Sequence, residues 1–148
     1  MSSKTPINRR TFIQTGTAAG AMAMTAKSYA QVSGANDRLR MGFIGCGGMA
    51  GGHLKTMLKI KNSENVDLVA VNDVYTKRAQ GFQDKIKEAG GDATLHNSYQ
   101  DMLAREDIDY VLIATPEHSH AYITLEALDA GKHVYVEKPM THDIKEAQ

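Results

Sequence analysis

Three places in the chain carry residue types and spacings that can do chemistry. The run Gly45-Cys46-Gly47-Gly48-Met49-Ala50-Gly51 has the form G-x-G-x-x-A with a further glycine behind it. Such a turn lets the main chain approach a pyrophosphate, whose charge then rests on the free amides at the start of the next helix. Purely steric glycine turns share the pattern, and methyltransferases use a similar one for another nucleotide. Asp73, closing a second apolar run, stands where an acid binds ribose hydroxyls, or else is a surface-loop acid. In Glu137-Lys138-Pro139, Lys138 is a compact cation able to orient a hydroxyl or relay its proton, or else a structural lysine beside a rigid proline. His118 and His120 are paired, but no cysteine or carboxylate cluster at ligand spacing accompanies them, so a metal site is not expected. Cys46, the only cysteine, can form no internal disulfide and reads as a small residue that fits between two glycines.

The elements that must position these groups follow from hydrophobic pattern. Leu39 to Ile44 is a short apolar run ending at Gly45, and Met49 to Lys59 places Ala50, Leu54, Met57 and Leu58 on one helical face. Val66 to Val71 is a second strand, and Thr76 to Ala89 sets Ala79, Phe82, Ile86 and Ala89 at helical spacing before Gly90-Gly91. Thr94-Leu95 with Ser98 to Ala104 is weakly patterned, consistent with a short strand and helix. Tyr110 to Ala114 is a buried type of strand. Ala121, Leu125 and Leu128 mark a helix stopping at Gly131, His133 to Val136 is a further strand, and another helix is expected from about Thr141. Strands without strict alternation, separated by amphipathic helices, predict a doubly wound parallel α/β sheet. Its ligand crevice lies beyond the strand C-terminal ends, where Thr115-Pro116 and Glu137 to Pro139 both fall. Both loops are expected on the side of the reacting substrate.

Composition sets the outer limits. The chain of 148 residues, 42% hydrophobic, is long enough for one domain with a core and too short for two full ones. Lys plus Arg and Asp plus Glu both total 17, so no basic excess draws it to nucleic acid. The balance is uneven: the first 30 residues hold Lys4, Arg9, Arg10 and Lys27 and no acid, leaving 13 bases against 17 acids beyond them. That leader reads as a signal peptide, residues 1–30, with a polar start containing Arg9-Arg10-Thr11-Phe12-Ile13 and a mildly apolar run from Thr15 to Ala26. Small residues at Ser28 and Ala30 suit cleavage after Ala30. The arginine pair is similar to the twin-arginine signal, which predicts export of a folded protein to the periplasm or beyond. The apolar run is shorter than the roughly 18 to 20 residues of a bilayer span, so stable membrane insertion is not expected. Residues 31–38 read as a polar linker and 39–148 as the domain proper.

Gly45 to Gly51, Asp73, the segment Ala114-Thr115-Pro116-Glu117-His118-Ser119-His120 and Glu137-Lys138-Pro139-Met140 together resemble the glucose-fructose oxidoreductase, inositol dehydrogenase and MocA (Gfo/Idh/MocA) family. The resemblance covers essentially all of Leu39 to Gln148. It implies a Rossmann-type domain binding NAD, or NADP, in an oxidoreductase acting on a sugar, polyol or related hydroxy compound. The alternatives are an NAD-dependent glycosidase using transient oxidation and a non-catalytic dinucleotide-binding protein. Cofactor contacts are implied for Gly45, Gly47, Gly48, Met49, Ala50, Asp73, Thr115, Pro116, His120, Glu137 and Lys138, with Lys138 also catalytic. The family often has Asn where Glu117 stands. An acid at residue 73 favours NAD, whereas Lys77 and Arg78 nearby can hold a 2′-phosphate. The resemblance also implies a second, substrate-binding domain beyond Gln148 and a homo-oligomer when full length.

Overall fold

A computed structural model describes residues 38–147. The expected signal peptide, and the linker apart from Arg38, lie outside the described residues. Five parallel strands form one sheet in the order β3-β2-β1-β4-β5. They are β1 (Leu39–Ile44), β2 (Val66–Asn72), β3 (Thr94–His96), β4 (Tyr110–Ile113) and β5 (His133–Val136). Helices α1 (Gly48–Ile60), α2 (Thr76–Glu88), α3 (Tyr99–Leu103) and α4 (His120–Asp129) connect them, α4 being preceded by a single 3₁₀ turn at Glu117–Ser119.

Two separate cores show that the sheet is covered on both faces. On one, Ala50 and Leu54 of α1 and Ala79, Phe82 and Ile86 of α2 pack on Met41, Phe43, Leu68, Val71 and Leu112. On the other, Met102 and Leu103 of α3 and Ile123 and Ala127 of α4 pack on Ile44, Ala70, Val111 and Ile113. The expected doubly wound α/β class is therefore the observed one. Chain order runs outward from β1 to β3 and returns to β4 on the other side of β1, which puts the switch point between β1 and β4.

Strand β2 contains a bulge. Met41 pairs with Leu68 but Gly42 pairs with Ala70, leaving Val69 as an extra residue. Val66, Leu68 and Val71 consequently share one face despite their odd spacing, while Val69 and Ala70 turn to the other. The Val69 carbonyl accepts a hydrogen bond from Arg105 Nη1 at 3.2 Å. That guanidinium is itself held by both Asp107 oxygens at 2.9 and 2.7 Å.

One expectation is corrected. Helix α4 exists and ends at Gly131, whose φ of +73° is the left-handed C-terminal turn. Its buried stripe, however, is His120, Ile123 and Ala127, whereas Leu125 and Leu128 are 60% and 53% exposed. Both stripes fit a helical repeat. The polar type of His120 conceals the one that packs. Near Thr141, residues 144–147 form a turn whose first amides are capped: Asp143 Oδ1 accepts those of Lys145 and Glu146, as a helix N-cap does.

The stripe assignment can be checked by truncation. Ile123→Ala should destabilise the fold by about 2–5 kcal/mol, as expected for a buried aliphatic side chain, and Leu125→Ala by about 0.5 kcal/mol or less. Denaturant midpoints of the two variants test this, and equal losses would return α4 to the orientation read from the apolar pattern.

Candidate functional site

The site is built where β1 ends. Gly45 has φ +87°, and a Cβ placed on it would lie 2.8 Å from the Ala114 carbonyl carbon and oxygen and from the Thr115 nitrogen. No side chain fits there, so the ends of β1 and β4 come into direct main-chain contact. Gly47 differs. Its φ of −82° and ψ of −165° suit any residue, and a Cβ there would meet nothing within 4 Å. Glycine at 47 leaves empty space directly over the start of α1.

That helix start is electrically open. Its N-cap, Gly47, provides no side-chain cap, and its first turn holds no acid. The first amide tied back into the helix is that of Gly51, to the Gly47 carbonyl at 2.9 Å. The amides of Gly48, Met49 and Ala50 therefore point out of the helix with no internal acceptor, as at any uncapped helix start. Together with the helix dipole they form an anion site. Gly48 and Met49 are exposed, whereas Ala50 is fully buried against the sheet. Ala50 thus fills the position where the turn requires close helix-to-strand packing.

Asp73 borders the same space. Its Oδ2 accepts the Cys46 amide at 2.7 Å and its Oδ1 the Tyr75 amide at 2.8 Å. The acid fastens the glycine turn to the end of β2, and each oxygen keeps a lone pair for a further donor. A cavity of about 410 Å³ opens between these groups and the loop after β4, lined among others by Gly45, Gly47, Asp73, Arg78, Thr115, Pro116, His118 and Tyr122. Its volume falls in the ordinary range for small-molecule sites. Arg78 reaches this cavity, with its guanidinium 5.9 Å from the centre of the Tyr75 ring. Lys77 is exposed and does not line it. The Ser119 hydroxyl, 2.7 Å from Thr115 Oγ1 and 2.8 Å from the Pro116 carbonyl, braces the loop.

The structure divides the remaining candidates. Thr115 and Pro116 line the cavity on the Asp73 side, and the Thr115 carbonyl lies one histidine ring away from the Pro139 carbonyl of the neighbouring loop. His120 faces no open space: it is 2% exposed, with Nδ1 2.6 Å from the Pro139 carbonyl and Nε2 2.8 Å from the Thr115 carbonyl. A ring held between two main-chain carbonyls is a clamp between the β4 and β5 loops. His118 is exposed at the cavity rim. Glu137 is 8% exposed and turns to α1, with Oε1 2.5 Å from His53 Nε2 and Oε2 accepting the Lys138 amide at 3.2 Å. That carboxylate is likewise internal. The hydrogen bond from His53 is the main reason its acidity is raised, holding the carboxyl below the usual carboxylate range against the opposing effect of burial. Lys138 is exposed just past β5, and the bond to Pro139 is cis.

Sequence reasoning missed His53. The signal available was a histidine on the helix opened by the glycine turn, in a chain that also places an acid straight after a strand. Cys46 is inert as expected: burial, reinforced by the Asp73 charge, pushes its thiol up to about 12. Among the described residues no group of three or more His, Cys, Asp or Glu is arranged to hold a metal ion. Nor is any helix among them long and apolar enough to cross a membrane.

Comparison with known proteins matches residues 39–148 to a family described as "Oxidoreductase family, NAD-binding Rossmann fold". The chain is 33% identical over 115 residues to a glycosyl hydrolase family 109 protein of Shewanella putrefaciens, covering 74% of this chain and 24% of that one. It is 32% identical over 102 residues to an inositol 2-dehydrogenase of Salmonella paratyphi B, covering 69% and 29% respectively. The chain therefore spans 24% to 29% of the length of these curated relatives. A crystal structure of myo-inositol dehydrogenase from Lactobacillus casei in complex with NAD(H) and myo-inositol has the same fold, with a TM-score of 0.67 at 24% identity. The match covers 74% of this chain and 31% of that one.

The two glycines should separate cleanly on substitution. Gly45→Ala meets main chain in a left-handed conformation and should cost about 2–4 kcal/mol of stability. Gly47→Ala should stay within about 1 kcal/mol yet weaken dinucleotide binding at least tenfold by filling the cradle. Denaturant unfolding and fluorescence titration with NADH measure the two effects. Unchanged affinity in Gly47→Ala would mean that the space at residue 47 holds no ligand.

Proposed function

Since this chain belongs to the Gfo/Idh/MocA oxidoreductase family, whose shared domain is an NAD-binding Rossmann fold, we propose that the protein transfers hydride between NAD(P) and a hydroxyl-bearing carbon of a sugar, polyol or related hydroxy compound. The observation that carries this reading is the open cradle at Gly47: a glycine that the chain's own geometry does not need, beside unpaired helix amides and an acid. The residues present fit the cofactor. The amides of Gly48, Met49 and Ala50 would hold the pyrophosphate and Asp73 a ribose hydroxyl, while Thr115 and Pro116 would wall the adenosine side.

NAD(P), when bound, supplies the hydride acceptor or donor. The protein's part is to hold the substrate and manage its proton. Lys138, exposed beyond β5, would orient the reacting hydroxyl and accept its proton on oxidation, or return one on reduction. The Asp73 charge repels a 2′-phosphate and favours NAD, with Arg78 the cation placed to receive NADP. A second reading draws on the family 109 relatives: a glycosidase in which oxidation is transient and reversed before product leaves. Net NADH production with a free polyol or sugar marks the first reading, and release of sugar from a glycoside without net NADH marks the second. In the full protein we expect a homo-oligomer.

The first test is to denature the purified protein and identify any released nucleotide by mass spectrometry, then to follow NAD(P)H formation against a panel of polyols and sugars. Lys138→Met should lower turnover by about 10²- to 10⁴-fold, the span of a proton-transfer contribution, with nucleotide still bound. Turnover undiminished in that variant would remove Lys138 from the chemistry.

The leader fits the same reading, because twin-arginine export carries proteins already folded around a cofactor. Cell fractionation should find the mature protein in the periplasm beginning at Gln31. Replacing Arg9 and Arg10 by Lys should leave it in the cytoplasm with the leader uncut, and unaltered export of that variant would exclude the route.

A further inference from the structure

We propose that His53 is a positioning residue for Lys138, acting through Glu137. The inference rests on the reading of Lys138 given above. Among the described residues no hydrogen bond or ion pair holds the Lys138 Nζ. Where its four-carbon chain starts is therefore set by the backbone of residues 138 and 139. Two anchors fix that backbone. From α4, His120 Nδ1 meets the Pro139 carbonyl at 2.6 Å. From α1, Glu137 Oε2 accepts the Lys138 amide at 3.2 Å while Oε1 is held by His53 at 2.5 Å.

The second anchor depends on the histidine. Glu137 is buried, and a buried carboxylate that loses its donor either takes up a proton or turns toward water. Turning away breaks the bond to the Lys138 amide, and protonation weakens it by removing the acceptor's charge. His53 is itself fixed, its ring edge-on to Tyr135 of β5 at 5.3 Å between centroids and 65° between planes. His53 also lies on α1, the helix whose first turn forms the anion site. The pair therefore ties the element that would hold the pyrophosphate to the backbone of the residue that would handle the substrate proton, 84 positions apart in the chain from His53 to Glu137. A shift of about 1 Å in a reacting group can cost on the order of 100-fold in rate, so this anchor acts on turnover more than on binding.

The test uses the full protein and two independent readouts. Amide hydrogen exchange, measured without nucleotide, should show Lys138 exchanging at least tenfold faster in His53→Ala while the amides of β1 and β4 keep their protection. With the compound that the polyol and sugar panel turns over, kcat should fall about 10- to 100-fold with KM for the nucleotide nearly unchanged. His53→Gln, which retains a neutral donor, should recover most of both. The double variant His53→Ala, Glu137→Ala should be no worse than Glu137→Ala alone, because the two residues act in series. A Lys138 amide that stays protected in His53→Ala overturns the proposal, as does loss of protection spread evenly over the sheet. If instead Lys138→Met turns over normally, the reading of Lys138 fails, and the exchange result still decides whether His53 holds that backbone.

Discussion

The binding edge of this domain depends on the main-chain contact at Gly45, where β1 and β4 end against each other with no room for a methyl group. Everything downstream inherits that contact. It brings Ala114 and Thr115 beside the glycine turn. It also lets the Gly45 amide reach the Asn72 carbonyl at 2.8 Å and puts Asp73 within reach of the Cys46 amide. The gap between strands thus becomes a cavity with donors on one wall and an acid on the other. Steric exclusion at one glycine and vacant space at the next are opposite conditions two residues apart, and the turn needs both.

Around this fixed centre the two outer loops are held indirectly. One histidine, His120, sits between the loops after β4 and β5, with a ring nitrogen close to a carbonyl of each. The other, His53, reaches across the first face of the domain to a buried acid. Neither ring meets the cavity, yet both govern the main chain of residues that border the crevice. Polar side chains are costly to bury without partners, and here the partners are the loops themselves.

Local chemistry explains what could be read from the sequence. The glycine turn, Asp73, the alternation of strands and helices and the left-handed stop at Gly131 are written in consecutive residues, so spacing alone reveals them. Long-range pairing is what spacing hides. The His53 to Glu137 contact joins distant segments, and α4 offers two apolar stripes of equal periodicity, of which only packing selects His120, Ile123 and Ala127. His120 and Glu137 are both internal, each with a main-chain partner.

The bulge at Val69 has a consequence of a different kind. With one extra residue, β2 consists of two half-strands out of phase, and roughly 3.3 Å of contour decides which half of the pleat carries its polar end. Below the bulge Val66 and Leu68 set one phase; above it Val71 resumes the same face one step late. Asn72 and Asp73 take their orientation from that second phase. Chain length, counted in single residues, therefore acts as a pointer for the acid at the cavity, and Arg105 on the bulged carbonyl keeps the pointer from slipping. A chain with an unbulged β2 would have to present the acid at this cavity from a neighbouring position to reach the same place.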